Sequence, residues 1–144
     1  MTHPGTSWLA GGSPRPTDVL RTWEAEELAA VTSSAWTVVE APLLRSIDVM
    51  QILGRGKRLG PVMGYPEASR AWWLVSEGAE EHLADLPQLL VRPRGWALCC
   101  PPAHQYMHGR GWLERPDGSG KLTSPVDLGA AFSWVSPIRT EPSG

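Results

Sequence analysis

Apolar positions along this chain follow two rhythms, one of about 3.6 residues and one of 2. The helical rhythm appears first after Thr17, where Val19, Leu20, Trp23, Glu27, Leu28 and Val31 give one mainly apolar face and Glu24 and Glu26 lie off it. Thr17 can cap this helix, and Asp18 stands at its positive dipole end. Leu43, Ile47, Met50 and Leu53 repeat the pattern behind Pro42, with Gly54 as the stop. A short acidic helix is predicted from Glu80 to Leu86, ending before Pro87. Ser124-Pro125-Val126-Asp127 has the form of a capping box and opens a last helix to about Trp134.

Strand signals fall between these helices. Ala35 to Glu40 is rich in β-branched residues, Pro61 to Gly64 is a short strand, and Arg70 to Val75 is a stronger one. The apolar run Gly95-Trp96-Ala97-Leu98-Cys99-Cys100 ends at Pro101-Pro102. Beyond a polar loop, Gly111-Trp112-Leu113-Glu114-Arg115 ends at the turn Pro116-Asp117-Gly118. These two runs are predicted to be neighbouring strands of one antiparallel sheet. The order α-β-α-β-β-α-β-β-α predicts an α+β fold, with helices packed on a mainly antiparallel sheet of about five strands. Residues 1–16 lack periodicity and are expected to be a mobile arm, 17–135 a single domain, and 136–144 a loose tail. Trp72 and Trp73 must point to opposite faces, so one of them is expected to be covered by a helix, a partner or a ligand, most simply in a sheet covered on both sides.

Composition narrows the classes. A length of 144 residues suits one domain with a real core, and a net charge of −2 supplies no global field for nucleic acid or an anionic membrane. No apolar run approaches the ~20 residues of a membrane span. The N-terminus Met1-Thr2-His3-Pro4-Gly5 has no secretory pattern, and the two cysteines are adjacent. Both points lead to the expectation of a reduced, cytoplasmic protein. Lysine is confined to Lys57 and Lys121 while Arg, Ala, Gly and Pro abound, the codon bias of a GC-rich bacterial genome.

Several clusters invite a chemical reading. Cys99, Cys100, His104 and His108 are zinc-type ligands, or a thiolate–imidazole pair. Vicinal cysteines lack the usual ligand spacing, and Pro101-Pro102 prevents a helix from following directly, so core thiols and loop histidines are expected, with no metal or cofactor. Gly54-Arg55-Gly56-Lys57-Arg58-Leu59-Gly60 is a glycine-flanked basic loop without Walker spacing. Arg55, Lys57 and Arg58 are the first candidates for phosphate contacts, and Arg92, Arg94 and Arg110 extend the patch if their loops share a sheet edge. The alternative is a solvated loop. The eight tryptophans are expected mainly in the core, although an exposed one beside arginine could stack on a base. Glu26–Glu27 and Glu80–Glu81 read as solvated faces, whereas Glu40 ends an apolar strand.

From about Trp36 to Phe132 the chain resembles part of the bifunctional DNA primase/polymerase (prim-pol) domain family. The resembling pieces are Trp36-Thr37-Val38-Val39-Glu40, Arg58-Leu59-Gly60-Pro61-Val62, Ala71-Trp72-Trp73-Leu74-Val75, Gly95 to Pro102, and Gly111-Trp112-Leu113. Enzymes of that family hold divalent metal with paired acidic residues on a strand, and two-metal nucleotidyl transfer needs several carboxylates. Here Glu40-Ala41-Pro42 offers one, and the family's cysteine-rich N-terminal portion is missing. The resemblance thus implies a shortened, catalytically silent relative. The expected function is a non-enzymatic binding or accessory module that contacts nucleic acid through basic loops. The alternatives are a protein-interaction factor of a host or phage complex without nucleic-acid contact, and a small Cys/His metal protein or enzyme.

Overall fold

A computed structural model describes residues 3–135. In chain order the elements are α1 (Pro4–Gly11), α2 (Pro16–Glu24), β1 (Ala29–Val31), β2 (Thr37–Pro42), α3 (Leu43–Arg55), β3 (Val62–Tyr65), β4 (Arg70–Val75), α4 (Ala79–Leu83), β5 (Leu90–Val91), β6 (Leu98–Cys100), β7 (Gly111–Glu114) and α5 (Pro125–Val135). A five-stranded sheet runs β5-β2-β4-β3-β7, antiparallel throughout, and β1 pairs with β6 in a separate two-stranded ribbon. This is an α+β fold with helices packed on an antiparallel sheet, as the alternation of patterns predicts.

Both faces of the sheet are buried. On one, Val39, Ala41, Val62, Ala71, Trp73 and Val75 pack with Val49 and Leu53 of α3, Leu83 of α4, and Leu128 and Phe132 of α5. On the other, Val38, Met63, Trp72 and Leu74 pack with Leu9 of α1, Val19 and Trp23 of α2, and Ala29, Val31, Leu98 and Cys100 of the ribbon. The period of two along β4 assigns its adjacent tryptophans to these two cores. We call the two sides the helical face and the ribbon face.

Four expectations need correction. Residues 4–11, assigned to a mobile arm, form α1, with Leu9 and Ala10 buried. Its anchors are tertiary and leave no periodic trace. The Thr6 hydroxyl accepts from the Ala103 N–H at 3.0 Å. Gly5 lies so close to the Pro116 carbonyl that a Cβ would sit 1.8 Å from its oxygen. The helix expected to run on towards Val31 stops at Glu24, and Glu26 takes φ 60°. Ala29 and Val31 then bury on alternate positions as a strand.

The runs at 95–100 and 111–115 are strands but not neighbours, because β6 pairs with β1 and β7 with β3. Finally, α3 is turned about its axis. It buries Ser46, Val49 and Leu53 and leaves Leu44 and Ile47 exposed. The Trp73 indole N–H donates to the Ser46 hydroxyl at 3.0 Å. A buried indole donor needs an acceptor, and here that need sets the helix rotation against the apolar rhythm. The tail assigned to 136–144 lies outside the described residues.

Candidate functional site

Glu40 is the hub of the ribbon face. It points from β2 to the same side as Arg70 and Trp72 of β4, because β2 and β4 pair with Glu40 opposite Trp72 and Pro42 opposite Arg70. Its carboxylate accepts from the Arg92 guanidinium at 2.7 Å and from the Trp72 indole N–H at 3.1 Å, and pairs with Arg70 Nε at 3.5 Å. The Glu40 side chain keeps 14% of its surface, against 47% for Arg70 and 30% for Arg92. The Arg92 contact is therefore a charge-assisted bond in a half-dry setting, while the Arg70 contact is solvent-screened and worth about 0–1 kcal/mol. Arg92 also lies over the Trp96 ring at 4.8 Å, and its Nε is buried without a partner.

Across β4, Arg110 covers two aromatic rings at once. Its guanidinium carbon is 4.8 Å from the Tyr65 ring and 4.9 Å from the Trp72 ring. One N–H donates to the Cys99 carbonyl at 2.7 Å. Tyr65 stacks near Trp72 at 6.3 Å, and its hydroxyl donates to Glu67 at 3.2 Å. The exposed Leu90 of β5 pairs with Glu40 and completes the surface. Three guanidinium groups thus stand among two carboxylates, Glu40 and Glu67, which leaves one positive charge in excess. Guanidinium groups stacked on rings keep in-plane N–H donors for a ligand.

Of the basic residues singled out in the sequence, Arg92 and Arg110 join this surface, linked through Glu40 and Trp72. The others do not. β3 begins at Val62, opposite Trp73 and Glu114, and ends at Tyr65, opposite Arg70. The loop of Arg55, Lys57 and Arg58 leads into Val62, whereas Arg110 precedes Gly111, which pairs with Gly64. The two basic loops therefore sit at opposite ends of the sheet. Arg58 pairs with Asp127 of α5 at 3.5 Å, and the Lys57 carbonyl accepts from the Lys121 ammonium. Arg94 pairs with Glu77 at 3.6 Å and makes no contact with Glu40, although it lines a pocket of about 520 Å³ together with Arg92, Glu77, Glu80 and His82. Arg70 and Tyr65 were not singled out. The period of two along β4 and the cation two residues before Trp72 were the available signals.

The cysteines and histidines do not form one centre. Cys99 is exposed and Cys100 buried, on opposite sides of β6. Burial, with a smaller contribution from Cys99, holds the Cys100 thiol well above the ordinary thiol range. His104 meets the Thr6 hydroxyl at 3.3 Å and stacks on His3, while His108 meets the Glu26 carbonyl at 3.0 Å. Among the described residues no group of three or more His, Cys, Asp or Glu side chains is placed to hold a metal ion. No helix among them is long and apolar enough to cross a membrane. Comparison with protein-family models, curated proteins and solved structures found no match to this chain.

Proposed function

We propose that this domain is a non-enzymatic binding module that docks another protein, with the Arg70–Arg92–Arg110 surface receiving an acidic group of the partner. The observation that carries the reading is the charge count around Glu40. Guanidinium donors and aromatic faces converge on a half-open sheet surface with a single positive charge to spare. One excess charge suits one carboxylate. A polyanion is held by a run of unpaired cations, and here Arg58, Arg92 and Arg94 already face carboxylates. The non-catalytic part of the proposal rests on Glu40, whose two oxygens contact Arg70, Arg92 and Trp72.

The test titrates a labelled glutamate-rich peptide and a labelled single-stranded DNA against the unmodified protein and Arg110→Ala at low salt. Peptide binding that is lost in the variant is the expected result. Preferential DNA binding, with a log–log salt slope of roughly −2 to −3 from two or three phosphate contacts, would assign the surface to nucleic acid. Template-dependent nucleotide incorporation lost in Glu40→Ala would overturn the non-enzymatic reading.

A further inference from the structure

Among the described residues, one buried tryptophan differs from the rest. Trp23, Trp72, Trp73 and Trp112 each donate the indole N–H to a protein acceptor at 2.8 to 3.1 Å. The acceptors are the Cys100 carbonyl, Glu40, the Ser46 hydroxyl and the Pro101 carbonyl. Trp36 is as buried as Trp23 and Trp72, with 5% of its surface exposed against 6% for each, yet its N–H meets no protein acceptor. A buried indole donor normally finds a partner. Among the described residues the only side-chain polar atom both sealed from solvent and unpartnered is Arg92 Nε. The Trp36 N–H therefore belongs to the small part of the ring that stays open.

That opening faces a groove of about 280 Å³ lined by Trp8, Gly11, Gly12, Ser33, Ala35 and Trp36. Ser33 is buried as deeply as Trp36. Its hydroxyl oxygen accepts from the Ala35 N–H at 3.0 Å, and its hydrogen meets no protein acceptor. Two side chains, each more than nine-tenths buried, thus hold spare donors in one groove. The remaining walls are indole rings, a methyl group and bare glycine backbone. A Cβ built on Gly11 would meet nothing within 4 Å, so the groove is open on that side. An adjoining hollow of about 390 Å³ shares Gly12 and Ser33 and leads past Thr32 and Ser34 to Arg94.

We infer that this groove docks a proline-bearing segment of a partner protein, with a peptide carbonyl accepting from the Trp36 N–H and a pyrrolidine ring lying against the indoles. The spare donors decide the occupant. They ask for carbonyl oxygens, and the walls around them are apolar. An ordinary residue brings an N–H with each carbonyl, and that N–H would be left against the rings without an acceptor. Proline brings the carbonyl and has no N–H. Its rigid ring suits aromatic walls, and proline-rich segments enter such grooves already extended, with little ordering cost. The adjoining hollow receives the residues that flank the proline. The site shares no residue with the surface around Glu40 and stands whether or not that surface takes a carboxylate.

Hydrogen exchange of the indole N–H groups in the free protein is the first test. Trp36 should exchange faster than Trp23, Trp72 and Trp73, and equal protection would reveal an internal partner and overturn the inference. Decaproline is then titrated into the whole isotope-labelled protein, with a Gly-Ser peptide of equal length beside it. Decaproline should shift the indole resonances of Trp8 and Trp36 and leave that of Trp73 in place, while the Gly-Ser peptide shifts none. Trp36→Phe keeps a ring without the donor and should weaken decaproline about tenfold. Gly11→Leu fills the groove from its open side, at a helical position that favours leucine over glycine, and should abolish the shifts with the fold intact. That variant decides the matter even if Trp36→Phe unfolds. Arg110→Ala should leave binding unchanged, which separates this site from the one around Glu40. No shift with decaproline would leave the donors to water and remove the inference. Equal response to the two peptides, or binding that survives Gly11→Leu, would do the same.

Discussion

Trp72 and Trp73 are chain neighbours with opposite surroundings. Trp73 has no exposed surface, gives its N–H to Ser46 and meets the Phe132 ring edge-on at 5.9 Å. Trp72 keeps 6% of its surface, gives its N–H to Glu40 and lies beneath Arg110. One ring is enclosed by helices and a neutral hydroxyl, the other by ions that reach solvent. The difference follows from strand alternation and from what covers each face. It separates two tasks on one sheet. The helical face holds the fold by close packing, and the ribbon face ends in a charged surface that reaches solvent.

The first way to break this division is Trp73→Ala. Removing a wholly buried indole should cost about 3–5 kcal/mol, the largest effect expected of any single change here. Urea unfolding followed by far-ultraviolet circular dichroism measures it. If Glu40→Ala destabilises as much, the ribbon face is as structural as the helical one and the division falls. A sharper probe is Ser46→Ala, which deletes one oxygen and leaves the Trp73 donor without its partner. The cost should be about 1–3 kcal/mol. A neutral result would mean that packing alone orients α3.

Glu40→Gln comes next. The amide keeps an acceptor for Trp72 but loses the charge facing Arg70 and Arg92. With Arg70 half-exposed, the loss should be about 1 kcal/mol and should shrink in high salt, which screens exposed pairs. A loss of the same size at all salt concentrations would place the network in a drier setting than its exposure indicates.

The division also explains what the sequence could and could not convey. β2 and β4 are apolar on both faces except at Glu40 and Arg70, so their patterns are strong and both strands are legible. Breakers such as Pro42 and Pro87 mark where predicted elements end, but the two-residue β5 that follows Pro87 carries no strand pattern and was not among the predicted elements. Elements held by tertiary contacts were hidden. α1 depends on Gly5 meeting Pro116 and on Thr6 meeting Ala103, partners about a hundred positions away in the chain. β1 is only three residues long and was absorbed into a helical rhythm. At the candidate site, Arg92 and Arg110 were visible as cations, but the link between them runs through Glu40 and Trp72. That link needs the register of β2 on β4, which no local pattern encodes.

The last effect, of similar size but confined to alkaline pH, concerns the ribbon, where the same alternation sets Cys99 apart from Cys100. Cys99 lies exposed on the outer side and Cys100 lies in the core. A thiol reagent should therefore modify Cys99 rapidly in the folded protein and reach Cys100 only after unfolding. Burial raises the Cys100 pKa in the folded state, so folding favours the neutral thiol. Stability from this group is fully present below the unfolded thiol pKa, about 8.5, and is lost as the pH rises above it. Between pH 8.5 and 9.5 the unmodified protein should lose about 1 kcal/mol more than Cys100→Ala does. Thermal unfolding of both proteins across that interval measures the difference, and the comparison cancels the titration of every group they share. Equal pH slopes for the two proteins, or equal labelling rates for the two cysteines, would contradict the assignment of the two thiols to opposite sides of β6.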